Sequence, residues 1–193
     1  AGFFNTIGDS DGVVRSLPLL AEYQGQYYES LALAMFRAMM GGPTVEPGFP
    51  ATASLGTHDT LESVVLVDGT RRMALPVDER LAMLIPFRGP GGPEGGSYAY
   101  ISASDLLEGK IAEGTLADKA VLIGTSAPGL QDVRTTPVGP VYPGVEAHAS
   151  MLTALMDGST IAIPDYARGF DVLQLLMVGL VLAFGLSVLP AGP

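Results

Sequence analysis

Gly124-Thr125-Ser126-Ala127 follows the apolar run Ala120 to Ile123, and Asp132 and His148 come after it in the order serine, acid, histidine. A serine raised on a sharp turn beside a histidine and a carboxylate is the machinery of acyl transfer. That turn needs glycine two positions after the serine, because strained backbone tolerates little else there. Pro128 occupies the position. The three residues also lie close together in the chain, which leaves little of it to supply separate strands for acid and base. A membrane-anchored serine hydrolase using Ser126 is therefore the alternative, and a strand-end loop is preferred. No catalytic residue is assigned.

Metal and phosphate chemistry fare no better. Val145, His148, Ala149, Leu152, Leu155 and Met156 recur at helical spacing, so His148 reads as a partly buried histidine with one satisfied hydrogen bond. Glu146 precedes it by two residues, about 200° around a helix, and cannot share a metal with it. His58 stands alone in a polar loop. "DSDG" at Asp9 to Gly12 resembles a calcium loop. Alignment on Gly12 puts Ile7 at the first ligand position, and no glutamate arrives at the last, so a turn is expected. Arg71-Arg72 reads as a solvated strand end, and no glycine-rich loop runs into Lys-Ser or Lys-Thr. Neither a cofactor nor a metal is expected.

The elements that would hold these residues are punctuated by glycine and proline. Phe3 to Ile7 and Val13 to Tyr23 read as strands around an Asp11-Gly12 turn, with Pro18 marking an edge or bulge. "ESLALAMFRAMMGG" reads as a helix capped by Ser30, stopped at Gly41 and buried nearly all round. Pro43 to Thr60 reads as a loop, "LESVVLVDGTRRMALPV" as a hairpin at Asp68-Gly69, and "LAMLIPF" as a short strand. "RGPGGPEGGS" is another loop. Ser102 with Asp105 suggests a capping box opening a short helix. "DKAVLIGTS" predicts a buried strand, "GVEAHASMLTALMDG" a helix stopped by Gly158, and "TIAIP" a short strand. The fold expected is α/β or α+β: a mixed β-sheet with packed helices, followed by one C-terminal transmembrane helix.

That last helix comes from "VLQLLMVGLVLAFGLSVL", Val172 to Leu189, which carries no charge and one amide, Gln174. As a helix it is about 27 Å long, close to the hydrocarbon thickness of a bilayer. Domains are expected at 1–166, the portion outside the membrane, and 167–193, the span and the start of a turn. The chain has 193 residues and a net charge of −10 with two lysines, so a nucleic-acid partner is excluded for want of a basic face. There are no cysteines, hence no disulfides or thiolate chemistry.

"GFFNTIGDSDGVVRSLPLL", "YYESLALAM", "IPFRGP", "YISASDLLEG", "DKAVLIGTSAPGLQDVRTTPVG" and "YPGVEAHASMLTALM" occur in order. Together they resemble the CHASE domain of type 2, an extracellular sensory domain of bacterial receptors. The resemblance covers about residues 2 to 190. It implies a sensor in the bacterial cell membrane, not an enzyme in this chain. Its output would be an adenylate or guanylate cyclase, a histidine kinase or a serine/threonine kinase. Members usually begin with a membrane helix and a further α/β half, so an internal fragment is expected. The partners implied are a small molecule or other extracellular cue, the membrane and a second copy in a homodimer. A ligand would meet the carboxyl end of the expected buried strand, at Ser126, Gln131, Asp132 and Arg134 with Asp105 nearby.

Overall fold

Gly12 takes a φ of 77° and its N–H bonds to Asp9 O at 2.8 Å, so the Asp11-Gly12 turn forms as expected. What flanks it differs. In the computed structural model, which describes residues 2–49, 61–125, 132–164 and 166–188, Phe3 to Ile7 is not a strand. Phe3 makes an isolated parallel bridge to Ser30. Beyond the turn, the expected single strand is broken by a bend at Leu19 into β1 (Ser16–Pro18) and β2 (Leu20–Tyr23). Pro18 ends β1 at that bend, where its missing N–H costs no ladder bond. β3 (Gln26–Glu29) then returns antiparallel along β2. Gln24 and Gly25 turn the hairpin with φ of 52° and 74°, the two positive values that a type I′ turn demands.

Ser30 caps α1 (Leu31–Met39), its hydroxyl accepting from Leu33 N at 3.4 Å. Gly41 and Gly42, both at positive φ, carry the chain away. The helix is not buried all round: Ala32, Leu33 and Phe36 face inward, and Met39 is exposed. Within the expected loop lies β4 (Thr44–Gly48), paired antiparallel with β5 (Ser63–Asp68). Pro47 is tolerated because β4 is an edge. β5 turns through Gly69-Thr70 into β6 (Arg71–Pro76), with Gly69 at a φ of 58°. β7 (Ala82–Leu84) pairs with β1.

α2 (Ala103–Leu107) starts after Ser102, but the capping box does not form. Ser102 Oγ lies 2.7 Å from Ser104 Oγ instead. "DKAVLIGTS" is a larger correction. Residues 118–125 form no strand, and Val121 and Ile123 point outward, Ile123 being 92% exposed. A strand needs a paired neighbour, and among the described residues no strand pairs with this segment. β8 (Val133–Thr136) and β9 (Gly139–Pro143) form a hairpin leading into α3 (Gly144–Asp157), which Gly158 stops in the left-handed region at a φ of 66°. "TIAIP" forms no strand.

The fold is therefore α+β, one of the two classes expected, but built from helices and small antiparallel sheets among the described residues in place of one mixed sheet. Its core gathers Leu17, Leu33, Leu66, Met83, Met151 and Leu155, with α3 against α1, β1 and β9. The chain divides into two units, Ala1–Ile161 and Ala162–Pro193. The second holds α4 (Ala167–Val188). Taken over the described residues, no helix is long and apolar enough to cross a membrane, so the expected C-terminal transmembrane helix is not found there.

Candidate functional site

The β8–β9 hairpin and the start of α3 bring two of the expected ligand residues together. Asp132 O accepts Gly144 N–H at 2.9 Å, which joins the loop before β8 to the first residue of α3. Its carboxylate fills the place of a side chain at Gly144, where a Cβ would lie 2.2 Å from Asp132 Oδ1. Arg134 Nη2 is 3.7 Å from that same oxygen, and Arg134 Nε donates to Thr6 Oγ1 at 2.9 Å. Asp105 does not join them. Its carboxylate faces Lys110 at 3.8 Å, in its own segment. Ser126 and Gln131 lie outside the described residues.

His148 sits one turn into α3, 2% exposed, with Nε2 3.0 Å from Phe4 O. A carbonyl only accepts, so Nε2 carries the proton and the buried Nδ1 is left without a partner. Burial pushes the imidazole below its ordinary 6.5, and the Phe4 bond and the Asp132 charge oppose that shift. This is the singly bonded histidine expected from the sequence, more deeply buried. Among the described residues no hydrogen bond joins Asp132 to His148, so the acid and base of the serine alternative are not linked.

A second polar set was missed. The segment from Arg88 to Tyr100, opened by glycines at positive φ, lies on α3 as a strap. Arg88 pairs with Asp157, and Tyr98 Oη lies 3.4 Å from Ser150 Oγ and 3.1 Å from Thr153 Oγ1. At the other end Gly92 N–H donates to Glu146 Oε1 at 2.6 Å, and Tyr100 Oη donates to the same oxygen. Glu146, Ser150, Thr153 and Asp157 fall at i, i+4, i+7 and i+11, one face of the helix. The apolar face read from the sequence is thus only part of what α3 buries. Glu146 is 2% exposed and its Oε2 has no partner. Burial, then the bond to Glu146, raises the Tyr100 phenol above its usual range. Burial also pushes Tyr142 up to about 12; its 3.1 Å bond to Ser150 works against this, and the charge of Glu146 adds to it.

On the hairpin side, β2, β3, the Phe3–Ile7 segment and the 79–81 turn enclose a groove of about 650 Å³. Tyr23, Tyr27 and Tyr28 line it with much of their rings exposed. Glu22, Glu79 and Arg80 add charge at its lining. The sequence carries the signal in "EYQGQYYE", a turn between tyrosines, but the expected strand ends at Tyr23 and the expected helix begins at Glu29, with nothing assigned between them.

Comparison with known families decides the identity. The CHASE2 domain family matches residues 1–187. The chain belongs to the CHASE2 family. CHASE2 domains are extracytoplasmic sensory domains of signalling receptors, so the resemblance carried by the ordered motifs holds across the chain. No curated protein and no solved structure matches it. In this CHASE2 domain the groove is a concave surface on the hairpin side, and α3 is the element to which the N-terminal segment, the β8–β9 hairpin and the strap are all tied.

Proposed function

We propose that this CHASE2 domain is the input of a bacterial transmembrane receptor. The Ala1–Ile161 unit meets a cue, the uncharged sequence run Val172 to Leu189, which extends past the described end of α4, crosses the membrane, and a cytoplasmic cyclase or protein kinase responds, with two copies paired. The observation that carries this reading is the surface of α4. Phe170, Val172, Leu173, Leu175, Leu176, Met177, Val178, Leu180, Val181, Leu182 and Phe184 are all exposed, so apolar side chains point outward on every face. Water is a poor solvent for such a surface. The apolar run continues in the sequence to Leu189, beyond the described residues, and reaches about 27 Å.

Within the first unit, Arg134 and His148 hold the Phe3–Ile7 segment, which lines the groove, to β8 and α3. Movement at the groove therefore has a hydrogen-bonded path to α3, which ends close in sequence to α4. The free energy available is the cue's differential affinity for two states, typically about 1–3 kcal/mol.

Membrane fractionation with a reporter enzyme fused after Pro193 tests the span. The full chain is expected to resist carbonate extraction and to keep the reporter in the cytoplasm, whereas a chain ending at Pro164 is released. Release of the full chain as easily as the shortened one would overturn the proposal.

A further inference from the structure

We infer that the hairpin groove binds an organic cation of the quaternary ammonium class. The inference rests on the sensory reading for its purpose and on the groove alone for its chemistry. Three tyrosines, Tyr23, Tyr27 and Tyr28, expose 64%, 65% and 45% of their surface at one groove. Tyr23 and Tyr28 meet edge to face with centroids 6.4 Å apart, which fixes the tilt of each ring. An aromatic face is electrically negative and attracts a weakly hydrated cation, while the groove's apolar lining receives the methyl groups.

Charge selects among the ligands that an apolar groove could take. Glu22 and Glu79 both line it, and among the described residues neither makes an ion pair. Arg80 is the one cation in the lining, and its guanidinium lies 3.8 Å from Asp9 Oδ1 and 3.7 Å from Asp78 Oδ2. The positive charge is thus held by two carboxylates, and the two glutamates leave a negative field. An anion would meet that field unfavourably, and a neutral guest would gain nothing from it. The chain's net charge of −10 adds to the attraction at long range. The wall is also set in advance. Asp78 Oδ1 accepts from Arg80 N and Ala82 N, both at 2.9 Å, and Leu81 O accepts from Leu19 N at 2.8 Å. A fixed wall spares a ligand the cost of ordering it.

The probe is choline, compared with its neutral isostere in which a quaternary carbon replaces the nitrogen. The full chain is held in maltoside micelles, which contain no ammonium group, and binding is read by saturation-transfer NMR. Choline is expected to bind saturably and the isostere at least about tenfold more weakly. Tyr27→Ala and Glu79→Gln are each expected to weaken choline several-fold with circular dichroism unchanged, since both side chains are exposed. Equal binding of the isostere, unchanged binding in either variant, or no binding of choline overturns the inference. Those results would leave the sensory reading standing, which fails instead in the fractionation experiment.

Discussion

Tyr100→Phe removes one hydroxyl and almost no volume, so it separates chemistry from shape in the hold of the strap on α3. In the wild type, Glu146 Oε1 takes two donors, Gly92 N–H and Tyr100 Oη, while Oε2 takes none. Without the phenol, a carboxylate that is 2% exposed keeps a single donor. A hydrogen bond to a charged group is worth about 1.5–3 kcal/mol. Tyr100 is only half-buried and water can reach part of the vacated space, so the lower end applies, about 1.5 kcal/mol. For a unit of this size that lowers Tm by about 3–6 °C. Tyr98→Phe is the internal comparison. Its lost partners are the neutral hydroxyls of Ser150 and Thr153, so about 0.5–1 kcal/mol is expected. Urea unfolding of the full chain in micelles gives the global value, and hydrogen exchange of residues 89–96 gives the local one. If the strap opens separately, its amides should exchange about tenfold faster in Tyr100→Phe, with core amides of β5 unchanged. A Tyr100→Phe protein no less stable than Tyr98→Phe, with strap exchange as in the wild type, would refute the assignment of Glu146 as the anchor.

Two further outcomes can be checked with the same preparations. His148 has its folded pKa depressed below 6.5, so the unfolded chain binds the extra proton first; its contribution is intact above about 6.5 and is lost as pH falls below it. The fall in unfolding free energy between pH 7.5 and 5.5 should therefore be shallower in His148→Gln than in the wild type, and equal slopes would contradict the buried, singly bonded imidazole. Ser30→Ala removes the N-cap of α1 at a fully buried position and should cost about 1 kcal/mol in urea unfolding, whereas a change below about 0.3 kcal/mol would mean the cap bond contributes nothing.

Much of the punctuation of this fold was legible because its causes are local. Gly12 and Gly69 adopt backbone that other residues avoid, Ser30 satisfies an orphan N–H of the turn that follows it, and Gly158 ends α3 in the left-handed region. Each of these acts within a few residues of itself. "AVLI" misled for the opposite reason. Its composition suits a buried strand, but a strand is completed by pairing, and composition says nothing about what runs alongside. With the strand absent, the rule that ligands gather at carboxyl strand ends has nothing to act on. Asp132 and Arg134 fasten the Phe3–Ile7 segment and the start of α3.

The α3 helix shows where a periodicity argument stops. Val145, His148, Leu152 and Leu155 mark one apolar stripe, and Glu146 lies off it, about 200° around the helix from His148. Glu146, Ser150, Thr153 and Asp157 form a stripe of their own, and polar side chains at helical spacing are equally consistent with a solvated face. What distinguishes the two is a partner contributed from more than fifty residues upstream, by a glycine-rich segment that no window around α3 contains. Two tyrosines and five glycines in "GPGGPEGGSYAY" were the available signal, since hydroxyls on otherwise apolar rings are what a buried polar stripe requires. The same holds on the other side of the molecule, where the tyrosines of the hairpin acquire a shared groove only once Phe3–Ile7 and the 79–81 turn are folded against them. Both surfaces are made by segments distant in sequence, so the residues that carry chemistry here are fixed by tertiary pairing while the turns that permit the pairing are fixed by their own sequence.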